Sequence, residues 1–220
     1  MTTPLPLRSA ATGYRKGEET RARILAAALS AFGNQGFAAV TTRQIAEEAG
    51  ANLPALNYYF GNKQGLYLAC AHEIVARYRE GMGAVGGVAL AALQAPLEAG
   101  AARVHLKRLM AALARFLLSS AGAQDRTLFV QREMASPGPA FEILYAELWR
   151  PGIELAAELI AQASGGKLET EDARVRAVMM IASLTGFQSG GPVIARSVGE
   201  GDQVARVIAA LDAQVDALTA

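Results

Sequence analysis

Between Thr41 and Lys63 the chain starts a helix, stops it and starts another with only Gly50 and Ala51 left for the turn. Thr41 and Gln44 have the spacing of a capping box, Gly50 supplies the stop, and Asn52 is a good N-cap residue. Pro54 is tolerable just inside the second helix, where an amide has no partner to lose. Two short helices so joined are the sequence form of a helix-turn-helix, whose second helix can lie in a DNA major groove. A plain helical hairpin has the same spacing, so spacing alone leaves both readings open.

The rest of the sequence is also helical in its periods. Ile24, Leu25, Ala28, Leu29 and Phe32 predict a first helix over 18–35. The helix after Asn52 is short, about 53–59, with Leu56 and Phe60 facing the core. Leu66, Cys70, Ile74 and Tyr78 then recur every four residues, and this helix is expected to fade at 81–87, where four glycines in seven residues make a boundary or hinge. Leu106, Leu109, Met110, Leu113, Phe116 and Leu117 form one apolar face, and a segment over 125–135 ends at Ser136-Pro137-Gly138-Pro139. Phe141 to Leu159 keep one face across Pro151, where a kink or break is expected. The last helices are predicted over 171–188 and 202–218. With 46 alanines and no alternating strand pattern, the chain reads as all-α with about nine helices.

Composition narrows the class further. At 220 residues, 52% hydrophobic and 19% charged, the chain is globular, with no need of a disulfide framework. Its single cysteine cannot form an internal disulfide, and residues 1–17 lack the apolar run of a secretory signal, so a cytoplasmic location is expected. The uncharged stretch 177–195 is as long as a membrane span, but its glycines, hydroxyls and Pro192 read as a buried helix with its exit loop. The net charge of +1 hides a polarity. Residues 1–67 hold seven Lys and Arg against four Glu, a net +3, and the remainder holds 14 basic and 16 acidic residues, a net −2.

The content of the short helix favours DNA over a bland hairpin. Asn52-Leu53-Pro54-Ala55-Leu56-Asn57-Tyr58-Tyr59-Phe60-Gly61-Asn62-Lys63 has no acidic residue and offers amides and phenols to base edges or phosphates. Residues 18–67 resemble the DNA-binding domain of the TetR family of one-component repressors. The resemblance is carried by Arg23-Ile24-Leu25-Ala26-Ala27-Ala28, Phe32, Gly36-Phe37, Thr41-Thr42-Arg43-Gln44-Ile45-Ala46, Ala49-Gly50 and Tyr59-Phe60-Gly61-Asn62-Lys63, ending at Leu66. It departs from the usual pattern at Asn57, where most members carry tyrosine, and at Pro54. The second part resembles the ligand-binding domain of the CecR-like branch of that family through Phe129-Val130-Gln131-Arg132-Glu133-Met134, Pro137, Ala140-Phe141, Leu144-Tyr145, Pro151, Leu159-Ile160-Ala161 and Gly165.

The expected organisation is a mobile basic arm over 1–16, a DNA-binding domain over 17–67 and a ligand-binding and dimerisation domain over 68–220. Thr42 and Arg43 are expected to contact phosphate or a base edge, while Leu53, Pro54, Ala55, Asn57 and Tyr58 face the groove. Tyr59 and Lys63 are placed on backbone phosphates, against the alternatives of a packing tyrosine and a solvated lysine, and Arg15 and Lys16 on an adjacent minor groove. The second resemblance implies a small-molecule pocket, with His105, Leu109, Phe116, Phe129, Arg132, Phe141, Tyr145, Trp149 and Phe187 as candidate lining; ordinary core packing is the competing role. Arg132 with Glu133 either orients a ligand or braces two helices.

Ala182, Gly186 and Gly190, four apart, together with Val204, Ile208, Leu211 and Val215, are the candidate dimer interface, since a reader of palindromic DNA is two-fold symmetric. Cys70, His72 and Glu73 point to different faces of a helix and do not make a metal site. The expected partners are operator DNA, a small-molecule effector and a second copy of the chain, with no cofactor, no membrane and no enzymatic centre, because no nucleophile and base share a defensible spacing. A helical dimeric scaffold without sequence-specific DNA binding is the alternative.

Overall fold

The computed structural model of the protein describes residues 10–119, 123–199 and 201–219. Among these residues there are helices and no strand, in the order α1 (Ala10–Gln35), α2 (Thr42–Glu48), α3 (Leu53–Phe60), α4 (Lys63–Ala92), α5 (Ala99–Ser119), α6 (Ala123–Ala135), α7 (Phe141–Leu144), a π-helical turn (Tyr145–Trp149), α8 (Arg150–Ala163), α9 (Thr170–Ser189), α10 (Gly191–Val198) and α11 (Gln203–Asp216). They divide into two compact units. One runs to Ala71 and also includes Leu128–Ala140; the other holds His72–Thr127 and the chain from Phe141 onward. Helices α4 and α6 contribute residues to both. The segment 128–140, expected in the second domain, therefore packs with the first.

In the first unit α1 packs against both members of the short pair α2 and α3, and α4 follows α3 in the chain. Ile24, Ala28 and Phe32 of α1, Val40, Ile45 of α2, Leu56 of α3 and Leu66 of α4 are all fully buried. Helix α1 begins at Ala10, eight residues before the expected start. Arg15 and Lys16 thus sit on an exposed helical turn, where Arg15 pairs with Glu19 at 3.8 Å, and not on a mobile arm. The remaining arm residues, 1–9, lie outside the described residues.

The second unit is built on α5, α8, α9 and α11, whose core includes Leu106, Met110, Ala114, Leu159, Ile160, Ala177, Leu184, Leu211 and Val215. Helix α4 does not fade in its glycine-rich stretch but runs on to Ala92. Packing explains the override: a Cβ on Gly81 would stand 2.6 Å from the Phe116 ring, so this glycine makes room for an aromatic side chain. At Pro151 the chain neither breaks nor leaves helical structure. The widened turn just before it, closed by Arg150 N–H donating to the Tyr145 carbonyl five residues back, absorbs the missing proline donor.

The stretch 177–195 is not a buried helix with an exit loop. Helix α9 buries Ala177, Met180 and Leu184 but exposes Val175, Val178 and Met179 on its other face, and its exit is helix α10, with Pro192 in the first turn. None of the helices among the described residues is long and apolar enough to cross a membrane.

Candidate nucleic-acid interface

The turn between α2 and α3 is built from backbone chemistry. Thr41 Oγ1 accepts from Gln44 N–H at 3.2 Å and starts α2. The reciprocal half of the capping box is absent, because the Gln44 amide donates to Glu48 instead, at 3.2 Å. At the other end Gly50 adopts φ +59°, its N–H donates to the Glu47 carbonyl at 3.0 Å, and Ala51 N–H donates to Ala46 at 2.9 Å. This pair of bonds is a Schellman closure, which requires the left-handed residue that glycine supplies. Asn52 then caps α3, its Oδ1 accepting from Ala55 N–H at 2.8 Å. Arg23 of α1 secures the turn by donating from Nε to the Ala49 carbonyl at 3.2 Å.

So held, α3 buries Leu56 and Phe60, as the sequence predicts, and turns the opposite side outward. Asn52, Leu53, Pro54, Asn57 and Tyr58 are exposed, Tyr58 at 83%, while Ala55 and Tyr59 are half-buried. Tyr58 and Tyr59 meet edge to face with ring centroids 5.1 Å apart. On α2, Arg43 is exposed and Thr42 half-buried.

Beside α3 lies an open groove of about 420 Å³ lined by Lys16, Gly17, Thr20, Arg23, Gly50, Ala51, Asn52, Ala55 and Tyr59. Two cations and no carboxylate line it. Gly17 gives the Tyr59 hydroxyl its place, since a Cβ there would come within 3.2 Å of that oxygen. Gly17, Thr20 and Arg23 were not singled out from the sequence. Arg23 carries a signal, as part of the matching motif, whereas Gly17 is helical only because α1 starts at Ala10. Lys63 does not line this groove: it is half-buried, and its ammonium stands 4.6 Å from the Phe37 ring centre and donates to the Ala38 carbonyl at 3.3 Å.

The nine candidate ligand residues divide between the two units. Phe129 and Arg132 belong to the first unit, where Phe129 is fully buried 4.6 Å from the Tyr67 ring and Arg132 donates to the carbonyls of Gly33 and Asn34. Arg132 thus braces the end of α1. In the second unit, Phe141, Tyr145 and Trp149 make an aromatic row, Phe141 lying parallel to Tyr145 at 6.0 Å and 5.5 Å from Trp149. Phe116 packs edge-on against Tyr78 at 6.0 Å, Leu109 is buried in the core, and His105 and Phe187 are half-buried elsewhere. Burial pushes the Tyr78 phenol above its ordinary value. Arg126 is held below the usual arginine range, first by burial and then by the like charge of Arg77.

Of the candidate dimer residues, Leu211 and Val215 are core, because α11 covers α5 of its own chain. Val204 and Ile208 are half-buried, and Ala182 and Gly186 lie exposed on α9. Gly190 closes α9 and is half-buried.

Comparison with known proteins agrees with this architecture. Residues 24–70 match the family of bacterial regulatory proteins of the tetR type, and residues 102–220 match the C-terminal domain of the HTH-type transcriptional dual regulator CecR. CecR of Shigella flexneri is 31% identical over 188 residues, covering 84% of this chain and 82% of its own. The transcriptional regulator RutR of Escherichia coli K12 is 44% identical over 52 residues, 24% of each chain. Among solved structures, a TetR-like regulator from Rhodococcus sp. RHA1 superposes with a TM-score of 0.64 at 20% identity, over 90% of this chain and 96% of its own. AibR, solved in complex with isovaleryl coenzyme A and operator DNA, superposes with a TM-score of 0.65 at 14% identity, over 89% and 97%. The capped helix pair, the all-helical second unit and these relatives lead to one assignment: the chain belongs to the TetR family of transcriptional regulators, with a CecR-type C-terminal domain.

Proposed function

We propose that the protein binds an operator as a homodimer through α3 and releases it when a small molecule binds the second unit. The observation that carries this reading is the face of α3. Four side chains, Leu53, Pro54, Asn57 and Tyr58, stand exposed on a helix whose start is fixed by an Asn cap and a Schellman turn, beside a groove with two cations and no carboxylate. Asn57 suits adenine, the apolar groups suit a thymine methyl, and Lys16, Tyr59 and Arg43 suit backbone phosphates. Thr42 and Ala55 border this surface, and Arg15 extends it along α1.

The symmetry is assigned to α9. Val175, Val178, Met179, Ala182 and Gly186 repeat at helical spacing on a face that is exposed among the described residues. A second copy of the same helix suits a stripe that ends in small residues. The effector reading rests on the family and on the aromatic row Phe141, Tyr145 and Trp149, whose chemistry suits an aromatic or apolar molecule. A location with the chromosome, in the cytoplasm, follows from this role, and an enzymatic role is not part of it.

Electrophoretic mobility shift with the DNA flanking the protein's own gene tests the reading, followed by a thermal-shift screen of drugs, antibiotics and aromatic metabolites for a compound that reverses the shift. A discrete complex that survives excess non-specific DNA supports it. Binding that competitor DNA abolishes leaves the scaffold reading in its place.

A further inference from the structure

We infer that Arg132 and Glu133 are positioning residues of the DNA-reading unit, which is discontinuous in sequence: residues 128–140 complete its core, although they lie within the stretch that matches the C-terminal domain. The inference rests on the DNA-binding reading above for its consequence, and on the first unit alone for its geometry.

Helix α1 packs against α2 and α3 and holds the turn between them through Arg23, and its last turn leaves carbonyls without helical partners. Arg132 supplies them. Its Nε donates to the Gly33 carbonyl at 2.6 Å and its Nη2 to the Asn34 carbonyl, so a planar cation sits on the negative end of the helix. Gly36 makes the seat: it follows α1 at φ +86°, and a Cβ there would stand 3.3 Å from Nη1. A side chain at 36 would be strained by its backbone and would crowd the guanidinium as well.

Glu133 holds the other side. It is only 2% exposed, yet both carboxyl oxygens are satisfied: Tyr67 Oη donates to Oε1 at 2.6 Å and Gly138 N–H to Oε2 at 3.0 Å. Gly138 is required for approach and not for conformation, since a Cβ there would fall 2.5 Å from Oε1. Tyr67 in turn is wedged among Phe32 at 4.8 Å, Phe37 at 4.9 Å and Phe129 at 4.6 Å. One helical turn of α6 therefore grips both α1, through Arg132, and α4, through Glu133. The first of these is the helix that α2 and α3 pack against, and the second continues the chain directly from α3.

The test uses the full-length protein with Arg132→Ala, Arg132→Lys and, as a control in the second unit, Lys107→Ala, which breaks an exposed ion pair to Asp216. Two quantities are measured: affinity for the DNA flanking its gene, and amide hydrogen exchange of peptides covering 30–60 and 106–117. Arg132→Ala is expected to speed exchange over 30–60 only, and to weaken specific binding by roughly tenfold if competent heads fall to a tenth of the population. Arg132→Lys, which keeps the charge and one donor, falls between it and the wild type, and Lys107→Ala changes neither quantity over 30–60 or DNA. Wild-type exchange over 30–60 in Arg132→Ala overturns the inference, as does accelerated exchange with unchanged affinity. If the wild type itself binds no flanking DNA, the operator reading fails, and the exchange pattern still decides whether 128–140 holds the unit together.

Discussion

The Tyr67 hydroxyl donates a 2.6 Å hydrogen bond to the carboxylate of Glu133, 66 residues away in sequence and almost completely buried. Burial, followed by this bond and the charge of Glu133, pushes the Tyr67 phenol above its ordinary value, with Arg132 opposing. Tyr67→Phe leaves a buried carboxylate short of one donor, which costs about 1–3 kcal/mol. Thermal unfolding of the two proteins measures the loss.

The same bond has a pH signature. A phenol raised in the folded state gives stability that is fully present below its unfolded value of 10.0 and is lost as pH rises beyond it, because the unfolded chain releases the proton first. The stability advantage of the wild type over Tyr67→Phe is therefore constant from pH 7 to 9 and shrinks above pH 10. Denaturant titrations across that range check the slope. An advantage that grows above pH 10 contradicts the assigned partner.

Two glycines of α4 should answer oppositely to the same change. Gly81→Ala drives a methyl into the Phe116 ring and is expected to destabilise the second unit by about 1–3 kcal/mol. Gly83→Ala meets nothing within 4 Å on the same helix and should stabilise it by up to about 1 kcal/mol. Midpoints of urea unfolding distinguish the pair.

Lys16 in the groove predicts a salt effect and no change of sequence preference. Lys16→Ala should weaken binding to all DNA alike and lower the slope of log affinity against log salt by about one. Anisotropy titrations between low and moderate salt give that slope. A changed preference among operator variants would move Lys16 from phosphate to base contact.

Much of this site was legible because it is local. The Thr41, Gly50 and Asn52 signals are caps and turns that act within a few residues, and Leu56 and Phe60 follow from the period of one short helix. The long-range features were not. Gly81 reads as a helix breaker until Phe116 is seen against it, and Leu211 reads as an interface residue until α11 is seen to cover α5. The aromatic and basic residues of 129–132 carry the same letters whether they line a pocket or brace a helix end, and only the placement of Gly33, Asn34 and Tyr67 decides between them.

The most direct test of the account is the ratio of dissociation constants for the DNA flanking the gene and for shuffled DNA of equal length, at fixed salt, for wild type, Asn57→Ala and Tyr58→Ala. The account predicts a wild-type ratio of at least about a thousandfold. It also predicts that each exposed side chain of α3 contributes about 1–3 kcal/mol to that ratio without changing thermal stability. Equal affinity for both DNAs, or variants that lose no discrimination, would contradict the assignment of α3 as the reading helix.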